Sequence, residues 1–343
     1  MPSVKVMRDP VTDFEYPAAW VAACRSPDLL DDVRRGLAVL TASGTVLRRG
    51  FSTGTTAAAA CKAAILSLAC DTVREVDVTL PCGIAVRLAV DGYRGQASCR
   101  KDAGDYTADV TGGLEFVAMA APSLSGGVQF VPGEGIGSFA RDTPRHRRGT
   151  PAISAPALDC IRRSIDEAVE EADLSGTTVI LTIPRGAEVA QKTLNPRVGV
   201  HGGISVLGTT GFVEPWDDHM TEGVIDRIAR APGAVVLTTG RLGLRYSRLL
   251  FPEHEAILVG NKLEEALRAV EGDAVICGLP GLILKFMNPD VLSGTGCVTV
   301  EELSATPLWE ETVRRELAAF RARYPRVRVV IVDRDGRIIG EPP

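Results

Sequence analysis

Lys101-Asp102-Ala103-Gly104-Asp105, with Asp109 following, sets three carboxylates and an ammonium within nine residues on a glycine-broken stretch. That density suits hydrogen bonding to a substrate or acid–base work, with Asp102 and Asp105 as the candidate catalytic groups. A solvated turn between strands is the equal alternative. Ser52-Thr53-Gly54-Thr55-Thr56 opens an alanine-rich run. A helix N-terminus there offers unpaired amides and partial positive charge to an anion, so Ser52, Thr53, Gly54 and Thr55 are candidate substrate contacts. An ordinary helix cap is the competing reading. Arg141, Arg145, His146, Arg147 and Arg148 bring four guanidinium groups into eight residues. Such forks fit carboxylates, with Arg145 as the candidate contact; a solvated loop competes.

Glycine marks three further segments. Pro132-Gly133-Glu134-Gly135-Ile136-Gly137 has G-x-G-x-G spacing and no helix pattern directly after it, so it lacks the dinucleotide fingerprint. Gly133, Gly135 and Gly137 still allow a ligand to approach backbone, or they serve a hairpin. Thr193 to Pro215 mixes glycines with apolar residues at an expected domain junction, where ligand sites concentrate. Asn195, Arg197, Gly202, Gly203, Ser205, Thr209 and Thr210 are its candidate contacts. Thr238-Thr239-Gly240-Arg241-Leu242-Gly243 follows an expected parallel strand and precedes a helix, with Gly260-Asn261 and Gly278-Leu279 at later strand tips. Ligands of open α/β sheets bind at such tips, which makes Thr238, Thr239, Gly240, Gly243, Gly260 and Gly278 candidate cofactor contacts. Asn261 stands roughly where a nucleotide fold usually has an acid. No Walker A sequence occurs, which disfavours ATP as a phosphoryl donor.

The elements that must carry these groups divide the chain. Residues 1–48 read as an N-terminal helical appendage, with Leu29, Leu30, Val33, Leu37 and Leu40 at near-helical spacing and Ser43-Gly44 as the stop. Residues 49–212 read as an α+β domain with a mainly antiparallel sheet. It comprises the Ala57–Ala69 helix, strands at Val76–Leu80 and Ile84–Val90, an Asp91-Gly92 hairpin turn, strands at Tyr93–Cys99, Val110–Met119 and Val128–Val131, an amphipathic helix at Pro156–Ala172, and a strand at Thr178–Ile183. Lys62 lies on the first helix and is expected to snorkel to the surface. Residues 213–343 alternate strand and helix, which argues for a Rossmann-like parallel-sheet domain. The fold class is thus α/β plus α+β.

Composition narrows the function. The 343 residues are 24% charged and 45% hydrophobic, as in globular proteins. A formal net charge of −5 argues against a general nucleic-acid partner. No apolar run reaches the roughly 18 residues of a membrane span, and the N-terminus lacks a signal segment, so the expected location is cytoplasmic. Eight cysteines without C-x-x-C spacing and four scattered histidines point to reduced thiols and no metal site.

Taken in order, these segments resemble the cobalt-precorrin-5B C(1)-methyltransferases of the CbiD type, from anaerobic cobalamin synthesis. The matching stretches are Gly50-Phe51-Ser52-Thr53-Gly54-Thr55 with Lys62, Val78-Thr79-Leu80-Pro81, Lys101 to Asp105 with Asp109-Val110-Thr111, Gly133 to Gly137, Pro151-Ala152-Ile153, and Lys192 through Glu214-Pro215. The resemblance spans roughly residues 48 to 290. Departures occur at Tyr106-Thr107-Ala108, at Gly112, and at Gly278-Leu279-Pro280-Gly281-Leu282, where the family usually has Asp-Pro-Asp, a His, and Gly-His-Ile-Gly-Lys. The resemblance implies S-adenosyl-L-methionine as methyl donor and a tetrapyrrole substrate, methylated at ring carbon 1, with cobalt only within that substrate. Its acetate and propionate arms would meet the arginine-rich loop and helix N-termini. A non-catalytic tetrapyrrole-binding protein and a nicotinamide-dependent reductase stay open as alternatives. So does a homodimer.

Overall fold

A computed structural model describes residues 7–41, 43–123, 126–142, 146–215, 223–231, 233–251 and 253–341. The chain forms two compact units, residues 1–40 with 44–217 and residues 218–343 with 41–43.

The first unit is built on a six-stranded sheet in the order Gly127–Pro132, Gly176–Thr182, Glu115–Pro122, Gln96–Arg100, Ala85–Tyr93 and Thr72–Thr79. Only the first pair is parallel. Burial alternates residue by residue along Ala85–Tyr93, as expected for a sheet with one covered face. The cover is the Thr53–Ala69 helix with the Ala155–Glu171 helix. The first of these buries Thr53 through Ile65 without a break. Its alanines keep the side-chain layer thin, so sheet and partner helix can approach it from several sides. Lys62 does not reach open solvent as expected. Its side chain is 8% exposed, and Nζ donates to Glu167 Oε2 at 2.6 Å across the helix pair.

Three local expectations shift. The helix expected to run to Leu40 ends at Arg35, after a 3-10 turn at Pro27–Leu29. Gly36 takes φ 78°, the left-handed cap that stops a helix, and Ala38–Leu40 becomes a strand paired with Val46–Arg48. The hairpin turn is not at Asp91-Gly92, which stay in the strand. It lies at Arg94-Gly95, both with positive φ (46° and 82°), between the paired Tyr93 and Gln96. That geometry matches the twist of the flanking strands. The strand expected from Val110 starts at Glu115, because Asp109 to Gly113 turn back on themselves.

The second unit holds a five-stranded sheet in the order Glu255–Leu258, Val235–Thr238, Ala274–Gly278, Val327–Val332 and Ile338–Gly340. The first four run parallel and the last antiparallel. Apolar clusters cover both faces. Leu237, Ile257, Ile276 and Ile331 belong to one cluster, and Val236, Val275, Cys277 and Val330 to the other. This is why these strands read as continuous apolar runs. The chain passes from the Val235–Thr238 strand outward to Glu255–Leu258, then back to Ala274–Gly278 on the other side. The strand order therefore reverses beside the tips of Thr238 and Gly278.

Candidate functional site

In the first unit the sequence motifs meet around the start of the Thr53–Ala69 helix. Ser52 caps it, its Oγ accepting from the Thr55 amide at 3.2 Å. The glycine-containing segment from Ser205 to Gly211 straps across this end. Gly54 N donates to Leu207 O at 2.8 Å, and Ser52 N to Gly211 O at 2.9 Å. Thr55 Oγ1 donates to Gly211 O at 2.7 Å, and Thr53 Oγ1 accepts from Leu207 N at 2.8 Å. Ser52, Thr53 and Thr55 are all buried. The donors expected to face a substrate at Ser52, Thr53, Gly54 and Thr55 are thus engaged by the chain's own strap.

The strap is held in turn by a three-glycine crossing. A Cβ on Gly203 or on Gly186 would stand 2.1 Å from Gly135 O, and one on Gly135 would stand 1.9 Å from Ile183 O. Backbone lies directly on backbone here, which explains Gly135 and Gly203 without a ligand. Gly137 is equally confined, by Val200 Cγ1 at 2.4 Å, and Gly133 by Thr182. Asn195 is buried beneath the strap. It receives Ser205 Oγ on its Oδ1 at 2.9 Å and directs Nδ2 at Gly203 O at 3.4 Å. Gly202, Thr209 and Arg197 face solvent, and Thr210 is half-buried. The Ser138–Phe139 strand pairs with Val200–His201, and the rings of Phe139 and His146 stack 4.2 Å apart. Exposed Arg147, Arg148, Arg197 and His201 therefore share one neighbourhood. Arg145 lies outside the described residues.

A cleft of about 330 Å³ opens beside the same motifs. Its walls include Phe51, Phe212, Arg48, Arg87, Arg100 and Asp102. Gly50–Phe51 pairs with Phe212–Val213, which stacks the two rings 6.0 Å apart. Asp102 O receives the Phe51 amide at 2.8 Å. Sequence reasoning missed both phenylalanines; in a chain with 5% aromatics, each standing next to a glycine, they were the available signal. Beneath them Arg49 is fully buried. It makes a two-pronged pair with Asp9 (2.9 and 2.6 Å) and donates Nε to Glu214 at 2.8 Å. It ties the N-terminal segment to the end of the strap.

The acidic loop clasps the same region. Asp102 accepts Arg48 NH1 at 2.5 Å and the Gly104 amide at 2.8 Å, while Asp105 Oδ2 accepts the Arg48 amide at 2.7 Å. Partial burial pushes the Asp102 carboxyl up. The Arg48 guanidinium, the Gly104 amide and the Lys101 charge together outweigh it and hold Asp102 below the ordinary carboxylate range. Asp109 behaves alike: burial is overcome by the Lys101 ammonium and the Thr111 hydroxyl and amide. Lys101 itself is buried against Asp109. Both carboxylates are therefore ionised at neutral pH, and each is a weaker base than an ordinary carboxylate. Among the described residues no group of three or more His, Cys, Asp or Glu is placed to hold a metal ion.

In the second unit the strand tips carry a different arrangement. Thr238 is fully buried, and its Oγ1 has no hydrogen-bond partner. It sits under the first turn of the Arg241–Leu250 helix, where a Cβ on Gly243 would come 2.2 Å from the hydroxyl. Gly278 lies opposite, with Thr239 Oγ1 and Thr238 Oγ1 3.5 and 3.6 Å from where its Cβ would be. The Pro280–Met287 helix begins just after it. Thr238, Thr239, Gly240, Gly243 and Gly278 are thus brought together at the point where the strand order reverses. Gly260 follows the neighbouring strand, with φ 56°.

A family profile described as CbiD matches residues 40–215. The chain is 56% identical to the cobalt-precorrin-5B C(1)-methyltransferase of Methanoregula boonei, over 98% of this chain and 100% of that protein. It is 43% identical to the protein of the same name from Methanosarcina acetivorans, over 97% and 98%. The crystal structure of the cobalamin biosynthesis protein CbiD from Archaeoglobus fulgidus superposes with a TM-score of 0.70 at 36% identity, covering 95% of this chain and all of that one. No described helix is long and apolar enough to cross a membrane.

Proposed function

The chain belongs to the CbiD family, and from that premise we propose that it methylates carbon 1 of cobalt-precorrin-5B. The observation that carries this reading is identity above one half along nearly the whole length of a methyltransferase of that name. The acceptor is a cobalt-containing, carboxylate-rich tetrapyrrole. Exposed Arg147, Arg148 and Arg197 beside the strap are the groups that offset its acetate and propionate charge. The arginine-rimmed cleft at Phe51 and Phe212 offers an apolar wall for part of the ring. Ser52, Thr53, Thr55 and Asn195, with Ser205 of the strap, serve this site by holding its backbone, and Gly202, Thr209 and Thr210 are its surface contacts.

The methyl donor in this proposal is S-adenosyl-L-methionine, held by the second unit read as a Rossmann-like fold. The tips of its strands fit such a ligand: Thr238 presents a buried hydroxyl without a partner, and a Cβ at Gly243 would fill the cradle. When bound, the donor supplies an electrophilic methyl group on a sulfonium. The chain's own part is alignment, which can contribute on the order of 7–11 kcal/mol to such a reaction. Asp102, held in place by Arg48, is the group this proposal assigns to proton movement in the macrocycle, with Asp105 keeping the loop in register. Incubation with cobalt-precorrin-5B and isotope-labelled donor, followed by mass analysis, should show one labelled methyl on the corrinoid. Failure to label it under conditions where both ligands bind would defeat the proposal.

A further inference from the structure

We propose that the N-terminus of the Arg241–Leu250 helix, together with the Thr238 hydroxyl, is a carboxylate site that takes the amino-acid arm of the methyl donor. The inference rests on the donor reading above and adds which end of the ligand this chain recognises there. Two independent observations carry it. The helix is ten residues long, and Leu244 is the first of its amides seen to donate to a backbone carbonyl, Gly240 O at 2.8 Å. Helix geometry leaves the amides before it without intrahelical partners. Beneath that turn Thr238 Oγ1 is fully buried and unpartnered, a costly state for a hydroxyl unless a ligand completes it. Gly243 brings the first turn of the helix directly onto that hydroxyl: a Cβ there would stand 2.2 Å from it. Free helix amides at a positive helix end, beside a hydroxyl able to donate, select an anion. The donor's sole anionic group is its α-carboxylate. The tetrapyrrole's carboxylates share that chemistry, and the experiment separates them.

Binding is measured by calorimetry on the full chain with three probes: S-adenosylhomocysteine, 5′-methylthioadenosine (the same nucleoside thioether without the amino-acid arm), and uroporphyrin as a polycarboxylate ring. Thr238→Val exchanges the hydroxyl for a methyl group of similar size. It should weaken S-adenosylhomocysteine about tenfold while leaving methylthioadenosine within twofold, and Thr238→Ser should restore the difference. Equal losses for both nucleosides, or no loss for either, would overturn the carboxylate assignment while leaving the donor reading intact. Loss confined to uroporphyrin would overturn it in favour of the tetrapyrrole's arms. If wild-type protein bound neither nucleoside, the donor reading itself would fall, and this inference with it.

Discussion

Two helix starts in this molecule look alike in sequence and differ in state. Ser52-Thr53-Gly54-Thr55 and Thr238-Thr239-Gly240 both place hydroxyls and a glycine at the start of a helix. At the first, backbone from Ser205 to Gly211 engages the hydroxyls and the Gly54 amide. At the second, the buried Thr238 hydroxyl meets nothing. The first helix N-terminus closes on its own chain, whereas the second leaves a buried hydroxyl unmatched, the state on which the proposed carboxylate site rests. The local motif is the same, and only the remainder of the fold assigns the role.

The contrast can be broken in several ways. The scaffold side should be the most fragile at Arg49. Arg49→Met strands two buried carboxylates, Asp9 and Glu214, and should cost about 3–5 kcal/mol in denaturant unfolding of the first unit. A loss under 1 kcal/mol would show that the N-terminal segment is not anchored there. Next is Gly203→Ala, which forces a methyl to within 2.1 Å of Gly135 O and should cost about 3 kcal/mol by the same measurement. A matched pair of isosteric changes sharpens the comparison directly. Thr55→Val removes a bonded hydroxyl and should cost about 1–2 kcal/mol, whereas Thr238→Val removes an unbonded one and should leave stability unchanged or slightly raised. Equal costs at the two positions would erase the distinction.

A small effect on stability is expected at Asp102. Its pair with Arg48 is partly solvated, so Asp102→Asn should cost less than about 1 kcal/mol at neutral pH. The folded carboxyl lies below its unfolded value, so its contribution is present above about pH 4 and disappears as the pH falls through the lower folded value. Stability curves of wild type and variant should therefore converge in acid. A gap that persisted at pH 2 would mean that the charge of Asp102 is not what stabilises the loop. In turnover, if Asp102 moves a proton, the same variant should lower kcat by about 10²-fold or more with little change in KM.

Much of the frame was legible in the chain. Continuous apolar runs announced the parallel strands of the second unit, and the 3.6-residue period announced the Ala155–Glu171 helix. Errors came where two local signals competed. Leu37 and Leu40 continue a helical spacing, but Gly36 admits the left-handed cap that ends the helix, and the following residues find a strand partner in Val46–Arg48. Asp91-Gly92 has turn chemistry, yet Arg94-Gly95 takes the turn because Gly92 is buried against Val73 and the strand continues past it. Phe51 and Phe212 were not read as a site at all, since their pairing spans more than 150 residues of chain.

By itself the order of residues determined the membership of this protein in its family, the two kinds of sheet, and the places where glycine and hydroxyl groups could matter, because helix caps, periodicity and turn chemistry act over a few neighbouring residues. Which of those groups are engaged and which stand unmatched was decided only in three dimensions. The bonds that satisfy Thr53 and Thr55 come from positions 152 to 156 residues away, and hydrogen bonds of that reach exist only once the chain has closed upon itself.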